Sequence, residues 1–195
     1  MTATLERTTT VNTTAPTVNQ PAAATRQTGK ETRRQKATRH VWAVVRLALG
    51  WTFLWAFLDK TFGLGHATET KDAWINGGNP TYGFLKFGAA GPFQDFYNTI
   101  AGAAWADWLF MAGLAGIGTA LILGIGIRIA AVTGALLNIM MWTAVLPPAN
   151  NPFLDDHLIN AAILTGLALA AAGNTLGLGK HWARLPLIQR MPWLK

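Results

Sequence analysis

The sequence predicts an all-α integral membrane protein, a bundle of four transmembrane helices preceded by a disordered N-terminal tail. Three observations lead there. Of the 195 residues only 13% are charged and 51% are apolar, whereas soluble domains carry about 25% charged residues. Four apolar stretches, at about 41–64, 104–124, 126–146 and 156–173, each approach the roughly 20 residues needed to span a bilayer. The positive charges gather beside those stretches, toward the two ends of the chain, as they do in the cytoplasmic flanks of membrane helices.

Residues 1–38 hold twelve Thr, with Ala, Pro and Gln and no aromatic residue. So little apolar surface cannot order a chain, so this segment is expected to be a disordered, Thr-rich cytoplasmic tail. It closes on the basic cluster "KETRRQKATRH". Arg33–Arg34 ahead of "LALGWTFLWAFL" has the outline of an export signal, with Gly65-His66-Ala67 as a small-x-small site. Asp59, Lys60 and the density of Trp and Phe favour an uncleaved anchor instead.

After the first span comes a long loop, 65–103, rich in Gly, Pro, Asn and aromatics. It is expected to lie on the membrane surface or to fold over the mouth of the bundle. A tight turn, "LGIGIR", separates the second and third spans. The loop "LPPANNPFLDD" leads to the fourth span without Lys or Arg, and 183–195 forms a basic cytoplasmic tail. Counting Lys and Arg loop by loop puts both termini in the cytoplasm.

Ala112, Gly116, Ala120 and Gly124 recur at i+4 and predict a close-packed helix face, with Gly134 and Ala135 on the third span. Trp42, Trp105, Trp108, Trp142 and Trp182 fall near span ends, as interfacial anchors do. Membrane lipid is thus a partner. The net charge of +7 and pI near 10.3 do not imply nucleic acid, given where the charges sit. The absence of Cys excludes disulfides, thiolate catalysis and Cys-ligated metal or iron–sulfur centres within this polypeptide. No metal is expected, because His40, His66, His157 and His181 are scattered without ligand spacing.

The polar residues inside the spans carry the functional question. At 100° per residue Lys60 lies about 40° around the helix from Arg46, whereas Asp59 lies roughly 140° away. Lys60 should therefore face what Arg46 faces, and Asp59 should need its own partner. Two readings stand side by side: the charges snorkel to the two surfaces, or both cations face a polar cavity within the bundle. Asn138 lies in the middle of the third span, as interhelical glue or as a ligand contact. At the start of the fourth span, Asp155 and Asp156 can cap the helix. Asp156, His157 and Asn160 share a face there, and His157 exchanges protons near neutral pH. The topology puts Asp59, Lys60, Asp156 and His157 at the same outer end.

The stretches "RLALGWTFLWAFLDK", "WADWLFMAGLAGIGTALILGIGIRIAAVTGALL", "MMWTAVLPPANNPFLDDHLINAAI" and "GNTLGLGKHW" resemble the DoxX/DoxD family of small bacterial four-helix membrane proteins. The loop "AWINGGNPTYGFL" is closer to the DoxD-like branch, that of the membrane subunit of thiosulfate:quinone oxidoreductase. The resemblance covers residues 41–182 and implies a four-helix domain over 39–182, in the inner (plasma) membrane. It carries over an Arg and a Lys of the first helix, here Arg46 and Lys60, and an Asp–His pair of the fourth, here Asp156 and His157. The implied activity is two-electron oxidation of thiosulfate to tetrathionate with reduction of a membrane quinone. A second oxidoreductase subunit or soluble redox partner would accompany it, and an oligomer is compatible.

On that basis Lys60, with His157 when protonated, would hold the dianion at the outer mouth. Asp59, Asp156 and His157 would handle protons. Arg46, Phe53, Phe57, Asn138 and Trp142 would contact the quinone, which needs apolar walls and hydrogen-bond donors. A different class of function is a non-catalytic scaffold anchoring soluble redox or stress enzymes.

Overall fold

The computed structural model describes residues 32–194. Among them there is no strand. The helices are α1 (Arg33–Phe62), α2 (Gln94–Ile100), α3 (Ala104–Leu123), α4 (Ile127–Ala144), α5 (Asp156–Leu169), α6 (Gly179–Trp182) and α7 (Pro186–Arg190). Three of these, α1, α3 and α4, are long and apolar enough to cross a membrane.

Helix α1 starts at a capping box. Thr32 Oγ1 accepts from the Gln35 N–H, and the Gln35 side chain accepts in return from the Thr32 N–H, so two otherwise orphaned donors are satisfied. The expected tail of 1–38 therefore gives way to helix at Arg33, and 1–31 lies outside the described residues. With 30 residues, α1 is about 45 Å long and exceeds the ~30 Å hydrocarbon layer. Its first turns, 33–40, are exposed throughout. The helix ends at Gly63, whose N–H reaches the Asp59 carbonyl.

The second and third expected spans match α3 and α4 to within two residues at each end. The expected 156–173 span differs: α5 stops at Leu169 after 14 residues, about 21 Å. A turn at Ala171 (φ 47°) and a 3₁₀ turn at Ala172–Asn174 follow. Composition alone reads "LALAAAG" as more helix, but the Gly-rich segment beyond it is needed for a backbone contact with the α3–α4 turn.

In the core α1 pairs mainly with α3 and α4 with α5, and α3–α4 contacts join the pairs. Leu49 and Phe53 of α1 meet Met111, Leu114, Ile117 and Leu121 of α3, and Leu164 and Leu167 of α5 close the cluster. Lipid is as apolar as leucine, so close packing rather than transfer from water holds such helices together. The α1–α3 crossing runs through Gly50 and Gly118. A Cβ on Gly118 would stand 2.7 Å from the Leu54 backbone nitrogen, and one on Gly50 2.8 Å from Leu121 Cβ.

The expected Ala112–Gly116–Ala120–Gly124 face packs only in its second half: Ala120 lies against the core and Gly124 is buried, whereas Ala112 and Gly116 are exposed and a Cβ on Gly116 would meet nothing within 4 Å. Small residues permit approach, but the bulky side chains that alternate with them decide which face turns inward. Gly134 does pack closely, against Leu164 of α5.

The long loop folds over one end of the bundle as a strap of short helical turns. Trp74 packs edge-on against Trp108 of α3, with ring centroids 4.6 Å apart. The Ala90 N–H donates to the last carbonyl of α4, that of Ala144. Tyr97 Oη, on α2, bonds the Met140 carbonyl at 2.9 Å and Thr143 Oγ1 at 2.6 Å. At the other end of the bundle the expected basic tail also turns back: Trp182 Nε1 donates to the Leu194 carbonyl, Ile188 is buried, and the last turn packs on α4.

Candidate functional site

Lys60 lies in the last turn of α1, directly beneath the strap. Its Nζ donates to the Pro80 carbonyl at 3.2 Å and stands 5.9 Å over the Phe110 ring. Among the described residues this is its one hydrogen bond, so two of the three ammonium donors are left over. Asp59 and Asp107 are its electrostatic neighbours.

Asp107, on the first turn of α3, is 4% exposed. The Thr81 N–H donates to its Oδ1 at 2.9 Å and the Thr81 hydroxyl at 2.6 Å. The Asn79 amide nitrogen, turned toward α3, donates to Oδ1 at 3.0 Å and to Oδ2. A buried carboxylate needs such partners. Here they also fix the Asn79–Thr81 strap, and with it the carbonyl that holds Lys60.

Below Lys60 a cavity of about 400 Å³ runs between α3 and α4. Phe84, Leu85 and Tyr97 of the loop region, Phe110, Gly113 and Ile117 of α3, and Leu137 and Met141 of α4 form its walls. Among the described residues Lys60 is the one charged residue that lines it. Its rim includes Trp105, Leu109, Leu136 and Met140, all exposed on the outside of the bundle. The cavity therefore opens sideways, through the apolar surface. Its size falls within the range of small-molecule sites, which are mostly apolar with a few placed polar groups.

No family model, no curated protein and no solved structure matches this chain. The site must stand on its own geometry.

The residues singled out from sequence fall into separate places. Asp59 has its own partner: its carboxylate accepts from the His66 N–H at 3.3 Å and the Ala67 N–H at 2.9 Å, tying down the chain that leaves α1. His157 sits at the start of α5 with its ring 6.5 Å from that of Phe84, behind the cavity wall rather than in it. Its Nδ1 is 2.6 Å from Asp155 Oδ2, and Asp155 also caps the helix by accepting from the His157 and Leu158 N–H groups. Burial works against the charged form of Asp155, but the bonds from His157 and the two backbone N–H groups hold its carboxyl below the ordinary carboxylate range. Asp156 is exposed, so the partner of His157 is Asp155.

Arg46 is fully buried at the opposite end of the bundle. Its Nη1 donates to the Leu121 carbonyl and, at 3.1 Å, to that of Ile122; Nη2 donates to Leu176 at 2.7 Å and Thr175 at 3.4 Å. It thus satisfies orphaned carbonyls at the end of α3 and bolts the segment after α5 onto them. Gly124 (φ 74°) and Gly177 wall it in: a Cβ on Gly124 would lie 2.9 Å from Nη1 and one on Gly177 3.1 Å from Nη2, while Gly173 packs on the α3–α4 turn, where a Cβ would lie 2.3 Å from the Gly124 carbonyl oxygen.

Phe53 belongs to the core and Phe57 packs against it; neither lines the cavity. Asn138 is buried and donates to the Gly134 carbonyl of its own helix at 2.8 Å. Trp142 Nε1 donates to the Phe153 carbonyl, fixing the loop before α5. Of the nine residues picked from sequence, only Lys60 lines the cavity.

Sequence reasoning passes over Asp107, Thr81 and the pairing of Asp155 with His157. Asp107 has a readable signal: it opens α3 at the end of the bundle where α1 finishes, level with Lys60. Among the described residues no group of three or more His, Cys, Asp or Glu is placed to hold a metal.

Proposed function

We propose that this chain is a four-span protein of the DoxX/DoxD type whose bundle provides the quinone side of an oxidoreductase acting on thiosulfate or a related sulfur compound. The observation that carries the reading is the sideways-opening apolar cavity with Lys60 at its polar end. A membrane quinone needs an apolar slot reachable from lipid and a donor to its carbonyl oxygen. Lys60 would supply the donor, and Phe84, Phe110, Leu137 and Met141 the walls. A bound quinone supplies a two-electron, two-proton acceptor. The overall balance is two thiosulfate, one quinone and two protons giving one tetrathionate and one quinol. His157, held by Asp155, is an imidazole behind the cavity wall.

In this reading α5 is the fourth span, its short length made up by the segment that follows it. Arg39 Nε donates to Thr175 Oγ1 at 3.2 Å, bringing the start of α1 beside that segment. Arg33, Arg34, Lys36, Lys180 and Arg184 belong to the same two stretches of chain, so the positive-inside rule puts the Arg46 end and both termini in the cytoplasm. The membrane would be the plasma membrane, and a second subunit or soluble redox partner would complete the enzyme.

A decyl-chain benzoquinone added to the purified full chain in zwitterionic detergent should quench tryptophan fluorescence through Trp105. Lys60→Met should weaken that binding at least tenfold. Equal binding by the two proteins would sink the assignment. The scaffold reading draws on the exposed basic turns of α1, 33–40. It predicts instead that partner capture depends on those turns and that quinone does not bind.

A further inference from the structure

Resting on the quinone reading above, we propose that the charges around Lys60 make the cavity selective for neutral, carbonyl-bearing amphiphiles over anions, with Asp107 as the specificity-determining residue. The anionic sulfur donor would then be handled by the partner and not at the Lys60 mouth.

One ammonium is flanked here by two carboxylates, Asp59 and Asp107, which are 1% and 4% exposed. Each presents its oxygens to N–H or O–H donors, the His66 and Ala67 N–H groups for Asp59 and Thr81 and Asn79 for Asp107. Among the described residues Lys60 is the one charged group in the lining, and the two carboxylates behind the lining outnumber it. No second cation among the described residues lines the cavity to offset this.

Neither carboxylate is ion-paired with Lys60. The ammonium bonds a neutral peptide carbonyl, that of Pro80, and keeps two donors for another acceptor. A quinone or ester carbonyl is the same kind of acceptor as the one already in place. It gains the hydrogen bond without meeting repulsion from Asp107. A carboxylate or a thiosulfate dianion gains attraction to Lys60 but is repelled by its two carboxylate neighbours, Asp59 and Asp107. In a site screened less than bulk water, one unit charge within a few ångströms changes the affinity of an anion by roughly tenfold or more.

Asp107 is the member that can be removed with the least loss of local structure on α1, because its partners Thr81 and Asn79 belong to the strap. An Asn at 107 keeps an acceptor for Thr81 and deletes the charge.

The experiment is a competition in the full chain, with quinone quenching as the readout and two matched competitors, methyl dodecanoate and dodecanoate, at pH 8.5. Displacement is corrected for the partition of each into empty micelles. In the wild type the neutral ester should displace the quinone at least tenfold more effectively than the carboxylate. Asp107→Asn should bring the two within about threefold, and Asp59→Asn, which removes the other charge, should move the ratio in the same direction. A wild-type ratio near one overturns the proposal, whether or not the variants fold, and so does a ratio unmoved in folded variants. Either result leaves quinone binding standing. Absence of quinone quenching in the wild type overturns the quinone reading and this proposal together.

Discussion

Arg46 and Lys60 lie on one helix, fourteen residues apart and on nearly the same stripe, yet the bundle uses them in opposite ways. Around Arg46 the backbone closes in: four carbonyls receive its guanidinium and glycines bring the chain against it. Around Lys60 the backbone offers one carbonyl, and a cavity occupies the rest. Arginine suits the first place because its planar fork reaches several acceptors at once, while lysine presents a point charge on a flexible stem. A charge in an apolar helix is thus a fastener when several carbonyls converge on it, as they do on both terminal nitrogens of Arg46 while its Nε stays unpartnered, and a ligand contact when a cavity lies beside its free donors.

The largest break in this comparison should come from Arg46→Met. It removes the donor from the buried Leu121 carbonyl and from the part-buried carbonyls of Ile122, Thr175 and Leu176, at about 1–3 kcal/mol for a buried group left unpaired. Thermal unfolding in detergent should show a large loss of stability, and Arg46→Lys should recover only part of it. A smaller effect is expected at Gly173. A methyl there would fall 2.3 Å from the Gly124 carbonyl oxygen, so Gly173→Ala must push the post-α5 segment off the α3–α4 turn. It should destabilise the fold by about 1–3 kcal/mol, the usual cost of overpacking, while leaving quinone quenching in the folded fraction unchanged. Were quinone binding lost there and stability kept, the division between the two ends would be wrong.

Smallest of all should be the effect at Asp155. Its carboxyl is lower in the folded chain than when unfolded, so its contribution is present above the unfolded value near 3.9 and is lost as pH falls through the lowered folded value. Asp155→Ala should cost about 1 kcal/mol as a lost N-cap and should flatten the decline in melting temperature below about pH 4. An unchanged decline would remove Asp155 from the account.

How much of this is legible in the sequence differs between the two ends. The three long helices, the tight turn at 124–126 and the separation of Asp59 from Lys60 follow from apolar length, glycine and helical phase, all of them local properties. Arg46 is legible as a buried cation but not as a bolt, because its acceptors lie more than seventy residues away. Asp107 escapes notice for the same reason: a single Asp at a helix start reads as a surface residue until Thr81, twenty-six residues earlier, is seen to fold onto it. Lys60 stands out by its phase. The walls of its cavity do not, since Phe53 and Phe57 share its helix while the residues that enclose the space come from the loop, α3 and α4.

The most direct measurement is the melting temperature of the full chain, of Arg46→Met and of Lys60→Met in detergent, each with and without saturating decyl benzoquinone. The wild type should melt higher with ligand, since a ligand that binds only the native state stabilises it. Lys60→Met should melt near the wild type without ligand and gain little from it, whereas Arg46→Met should melt far lower. A ligand-induced rise undiminished in Lys60→Met, or a melting temperature unchanged in Arg46→Met, would contradict the assignment of one charge to the ligand and the other to the fold.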